Sequence, residues 1–233
     1  MSPEAATSEP VTPLAPIPVW PRYAPPAFAL FAALNLVFEA AGPTLAFDVT
    51  KPLLMPLLAL SLLAKGRPTP PLLLVALLGS TLGDTMLLFS GNWFLVGMAG
   101  FAVTHLCYST LFQRSGAMRK RRTAWAVVFY SVAWLVIFDE LRTGLARNMI
   151  VPVAAYSCLL IIMAGFAFSA GRRTGIGGAL FLVSDTMIAG GLAHWDMPRG
   201  TGFAIMATYI VGQYLLATGI MGLDFTAYRR SRR

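Results

Sequence analysis

Two aspartates stand inside long apolar runs, each followed by the same two residues: Gly83-Asp84-Thr85-Met86-Leu87-Leu88 and Ser184-Asp185-Thr186-Met187-Ile188-Ala189. An ionisable side chain at bilayer depth costs about 2.5–3.5 kcal/mol on insertion scales, so it persists only with a polar partner or a task. Two carboxyl groups sharing a low-dielectric site favour a state with one proton between them, because both cannot be charged at short range. Such a pair donates a proton at one point of a substrate and stabilises a cation at another, as glycosidase carboxylates do. Which of Asp84 and Asp185 carries the proton is left open by the residues alone.

Other polar side chains in apolar segments offer partners. Thr104, His105 and Tyr108 lie close together, the last two at i, i+3 on one helical face, and Tyr209 and Gln213 stand at i, i+4 on another. For Tyr209 and Gln213 the choice is between an interhelical hydrogen bond and a direct role. His105 either acts in chemistry or orients one of the aspartates. Lys51, which precedes Pro52, either snorkels to the interface or receives a lipid phosphate. One histidine and two scattered carboxylates are too few ligands for a metal site, and acid chemistry of this kind calls for no cofactor. Gly171, Gly175, Gly177 and Gly178 have neither a preceding strand nor a following Gly-Lys-Ser/Thr, so they read as close helix packing and not as a phosphate loop. Cys107 and Cys158 both fall within apolar segments and read as small packing residues, without a disulfide framework.

The elements that must carry these groups are membrane helices. Hydrophobic residues make up 57% of the chain and charged residues 12%, and a helix needs about 20 apolar residues to cross a hydrocarbon core. The expected class is an all-α, polytopic membrane protein with eight transmembrane helices at 24–41, 46–64, 70–89, 93–112, 123–138, 149–168, 176–195 and 203–222. Residues 1–23 form a proline-rich cytoplasmic tail expected to be disordered, 24–222 the membrane domain, and 223–233 a basic cytoplasmic tail. Most of the 18 Lys and Arg residues fall in the two tails and in the 2–3, 4–5 and 6–7 connections, the densest run being Arg119-Lys120-Arg121-Arg122. By the positive-inside rule both termini are cytoplasmic, in a multi-pass protein of the cell membrane. The net charge of +8 is then accounted for by topology and anionic lipid, and nucleic acid is not an expected partner. Trp20, Trp93 and Trp195 fall near span ends, where interfacial anchors belong.

Comparing halves gives a recurring offset: Val37-Phe38-Glu39 against Ile137-Phe138-Asp139, Pro52 against Pro152, and Asp84 against Asp185. A four-plus-four parallel internal repeat would relate spans 3 and 7 by an axis along the membrane normal. It would bring both aspartates to one cavity between spans 3, 4, 7 and 8.

Read in order, Lys51-Pro52, Gly83-Asp84, His105-x-x-Tyr108-x-x-x-Phe112, Tyr156 with Met163, Gly178-Ala179-x-Phe181-x-x-Ser184-Asp185 and Tyr209-x-x-x-Gln213 resemble the YhhN-like lysoplasmalogenase family of integral membrane hydrolases. The chain departs from that pattern in its long proline-rich N-terminus and in Gly212 before the glutamine. The resemblance implies an ether hydrolase that cleaves the vinyl ether bond of a lysoplasmalogen, giving a fatty aldehyde and glycerophosphoethanolamine or glycerophosphocholine. It implies Asp84 and Asp185 as catalytic residues, with Lys51, His105, Tyr108, Tyr209 and Gln213 binding or orienting the lysophospholipid. The chemistry suits the residues, since a vinyl ether breaks in acid by protonation at its β-carbon to an oxocarbenium ion. A proton-coupled transporter using the same intramembrane aspartates is the alternative, and it would also use a parallel repeat.

Overall fold

The computed structural model describes residues 22–42, 44–89, 91–117 and 121–225. Most of the proline-rich tail with Trp20, the basic residues Arg119 and Lys120, and the last eight residues with their arginines lie outside the described residues. Among the described residues eight helices follow one another: α1 (Ala24–Ala41), α2 (Leu45–Leu63), α3 (Pro71–Met86), α4 (Trp93–Arg114), α5 (Arg121–Gly144), α6 (Arg147–Ala170), α7 (Arg172–Leu192) and α8 (Thr201–Met221).

Each expected span becomes one helix, and seven of them are long and apolar enough to cross a membrane. The shorter one is α3, which stops at Met86, so that its 16 residues rise about 24 Å at 1.5 Å each. Leu88 and Phe89 then turn back onto the carbonyls of Thr85 and Met86 at 3.2 and 3.1 Å. Asp84 consequently sits in the last turn of its helix. In contrast, α5 runs past the expected end at 138, carrying Asp139 into the helix, where it pairs with Arg142 at 2.6 Å on an exposed face. Local signals set several starts: prolines occupy the first turn of α1 and α3, and the Thr44 hydroxyl accepts the Phe47 N–H at 3.2 Å to cap α2.

Packed neighbours close a ring in the order α1, α2, α3, α4, α6, α7, α8 and back to α1, leaving α5 outside against α6 with a small contact to α7. Hydrocarbon solvates leucine as well as a neighbouring helix does, so the pairs are held by close backbone approach and by hydrogen bonds. A Cβ on Gly79 would stand 2.8 Å from the Gly100 carbonyl oxygen, and one on Gly177 2.9 Å from that of Gly212. These glycines bring α3 against α4 and α7 against α8. The two hairpins are thus built alike, whereas their surroundings differ, α4 packing on α6 and α8 on α1. Of the cysteines, Cys107 is buried as expected but Cys158, on α6, is exposed.

Candidate active site

Polar side chains inside the ring form two hydrogen-bonded arms, each ending on one aspartate. The first joins α3, α4 and α8. Tyr209 donates to Oδ2 of Asp84 at 2.6 Å. One turn further along α8, Gln213 donates from Nε2 to Ser80 Oγ at 2.7 Å and accepts from the Tyr108 hydroxyl at 2.7 Å. Ser80 meets Thr104 at 3.0 Å, and Thr104 donates to the Ala76 carbonyl at 2.8 Å. Every one of these side chains is buried, Asp84 to 2% exposure. Buried polar groups without partners would be expensive here, and this arm satisfies its members in sequence.

The second arm joins α4, α6 and α7. The Tyr156 hydroxyl donates in a short hydrogen bond to Oδ2 of Asp185 and lies 3.0 Å from Nε2 of His105. His105 is itself 3.9 Å from the same carboxylate oxygen, too far for a direct hydrogen bond. Rings connect the arms: Phe181 meets His105 edge to face at 4.9 Å between centroids and Tyr209 at 5.5 Å, and Phe101 meets Phe181 at 6.1 Å. Both carboxylates lie within electrostatic range of each other. Lys51, on α2, reaches Asp84 through its charge and stands 5.6 Å over the Phe47 ring.

The two aspartates differ in what they face. A partly open cavity of about 80 Å³ lies between α5 and the outside of the ring, lined by Phe94, Met98 and Phe101 of α4, Tyr130, Trp134 and Ile137 of α5, Val153, Tyr156 and Leu160 of α6, and Leu182, Asp185, Thr186, Ile188, Ala189 and Leu192 of α7. Asp185 contributes to its wall; Asp84, Tyr209 and Gln213 do not. The cavity expected between spans 3, 4, 7 and 8 is therefore displaced towards α5 and α6. Glycine contacts draw α3 onto α4 and α8 onto α7 too closely to leave room, while the peripheral position of α5 opens a gap on its inner side.

A family model described as the YhhN family matches residues 46–220, a stretch that contains both arms and the cavity. The chain belongs to the YhhN family. This chain is similar to lysoplasmalogenase TMEM86B of Rattus norvegicus, 32% identical over 166 residues that cover 71% of the chain and 68% of the relative. Proteins of the same name from Homo sapiens and Sus scrofa are 30% and 29% identical over 151 and 145 residues, covering 59% and 61% of those relatives. The chain spans less than two thirds of the length of these two. No solved structure gives a significant match.

Within this YhhN chain, seven residues singled out by type and spacing fall into the two arms: Asp84, Thr104, Tyr108, Tyr209 and Gln213 in the first, His105 and Asp185 in the second. Lys51 stands beside the first arm without a hydrogen bond to it. Reading by spacing overlooked Ser80, although it precedes Asp84 by one helical turn and so shares its face. It also gave Tyr156 no role of its own, because a single tyrosine in an apolar helix carries no positional signal until the helix beside it is known.

Proposed function

We propose that the protein is a lysoplasmalogenase, hydrolysing the vinyl ether bond of a single-chain ether phospholipid to a fatty aldehyde and a glycerophosphodiester. One observation carries the reading: Asp185 is the carboxyl group in the wall of a mostly apolar cavity suited to an alkenyl chain. The names of the similar proteins support the same substrate class.

Asp185 is the acid. Its proton passes to the β-carbon of the vinyl ether, the double-bond electrons form the new C–H bond, and an oxocarbenium ion remains at the carbon joined to oxygen. Water adds there and returns a proton to Asp185. The hemiacetal then breaks its bond to glycerol oxygen, its hydroxyl proton moving to the departing alcohol. Asp84, withdrawn from the cavity and held by Tyr209, stays ionised and stabilises the cation through a low-dielectric interior, where charge acts over longer distances than in water. Tyr108, Tyr209 and Gln213 orient Asp84, and Lys51 balances its charge or receives the lipid phosphate. Both termini face the cytoplasm, which puts the cavity in the half of the membrane away from it.

Aldehyde release from a defined lysoplasmalogen by the purified protein in detergent tests this reading. Turnover there is expected. A protein that acts only in sealed vesicles under a proton gradient would be a transporter instead.

A further inference from the structure

Asp185 accepts the Tyr156 hydroxyl on Oδ2, while Oδ1 has no hydrogen bond from any described residue. A tyrosine hydroxyl has one proton to give. If Tyr156 gives it to Asp185, then the 3.0 Å contact with His105 requires His105 to donate from Nε2. The imidazole must then be the tautomer protonated on Nε2. Its other nitrogen agrees with that constraint in one respect: Nδ1 is buried and has no partner among the described residues, so none of them competes to hold the ring in another orientation. The rings of Phe181 and Tyr156, at 4.9 and 5.3 Å, fix the imidazole between them.

From this arrangement we propose that Tyr156 is the positioning residue of Asp185, its hydroxyl locked by His105 onto Oδ2 so that Oδ1 alone presents the proton to the alkenyl carbon. The inference rests on the acid role given to Asp185 above. The Tyr156 bond points the same way before and after proton transfer, since Oδ2 accepts in the acid and in the carboxylate alike. The donor therefore needs no rearrangement during the reaction, and the residue that supplies this rigidity touches the carboxyl group without entering the chemistry. His105 acts one step further back, through Tyr156.

The test combines a spectrum with kinetics. The chain has 2 histidines, so ¹⁵N-histidine labelling of the detergent-solubilised protein, with His194→Gln to assign the second signal, reads the His105 tautomer directly. We expect a proton on Nε2 in the wild-type protein and a changed Nε2 shift in Tyr156→Phe. Tyr156→Phe should lower kcat on the order of 10²-fold, the scale of a misplaced reacting group, with KM little altered. An Nδ1-protonated His105 would overturn the proposal without any variant being made, as would a Tyr156→Phe protein of unchanged kcat. Asp185→Asn separates the two levels: if it keeps near-normal turnover the acid assignment itself fails, whereas an inactive Asp185→Asn beside a fully active Tyr156→Phe defeats the positioning role alone.

Discussion

Tyr209 on α8 donates to Asp84 on α3 at 2.6 Å across 125 positions of chain. The bond ties the last turn of the shortest helix to the middle of the last one, and Gln213 extends it to Ser80 and Tyr108. Gln213→Leu would leave the Tyr108 hydroxyl and Ser80 short of partners in a dry interior, where each unsatisfied group costs about 1–3 kcal/mol. Thermal unfolding in detergent should show a clear loss of stability for Gln213→Leu and a smaller one for Gln213→Glu, which keeps the acceptor for Tyr108. Equal unfolding temperatures would mean that the network contributes little.

The aspartates should respond alike in turnover and alike in binding. Asp185→Asn removes the proton donor, and general acid catalysis is typically worth 10²–10⁴ in rate, so a loss of at least that size is expected. Asp84→Asn removes the charge that stabilises the cation and should also be severely impaired. A lysophospholipid with a saturated ether, which cannot form the cation by this route, should still bind both variants. Loss of that binding would point to collapse of the cavity in place of loss of chemistry.

Glycine contacts should control the helix pairs. A Cβ on Gly100 would lie 2.7 Å from the Gly79 carbonyl oxygen and 2.9 Å from the Gly83 nitrogen, both backbone atoms that cannot swing away. Gly100→Val should separate α3 from α4 and lower stability in detergent, whereas Gly191→Ala, with open space where its Cβ would stand, should be tolerated.

The cavity should read the hydrocarbon chain. Ala133 and Ala189 line it from α5 and α7. Ala133→Phe or Ala189→Phe would occupy part of its volume, raising KM for a long-chain lysoplasmalogen more than for a short-chain one. Equal effects on both chain lengths would place the alkenyl chain elsewhere.

Much of this arrangement was legible in the residues. Hydropathy gave eight helices because an apolar run of span length has few alternatives, and it failed at α3 and α5, where the run outlasts or falls short of the regular helix. Asp84 and Asp185 stood out because charge is rare in such a setting, and the spacing of Tyr209 and Gln213 correctly put both on one face. The location of the cavity was not legible. It depends on α5 lying outside the ring, a consequence of which helices approach through glycine, and no pattern within a single helix records its neighbours. Tyr156 was named in the family pattern, but its role escaped for the same reason: its partners His105 and Asp185 are 51 and 29 positions away.

Protonation of carbon is the central claim, and the product carries its mark. If Asp185 delivers an exchangeable proton to the β-carbon of a vinyl ether, hydrolysis in heavy water places one deuterium on the α-carbon of the released aldehyde, with slower turnover than in ordinary water. Mass spectrometry of the aldehyde, reduced at once to the alcohol to prevent later exchange, measures this directly. A singly deuterated aldehyde is expected at every turnover. Release of an unlabelled fatty acid from an acyl lysophospholipid, with no aldehyde from the vinyl ether, would contradict it.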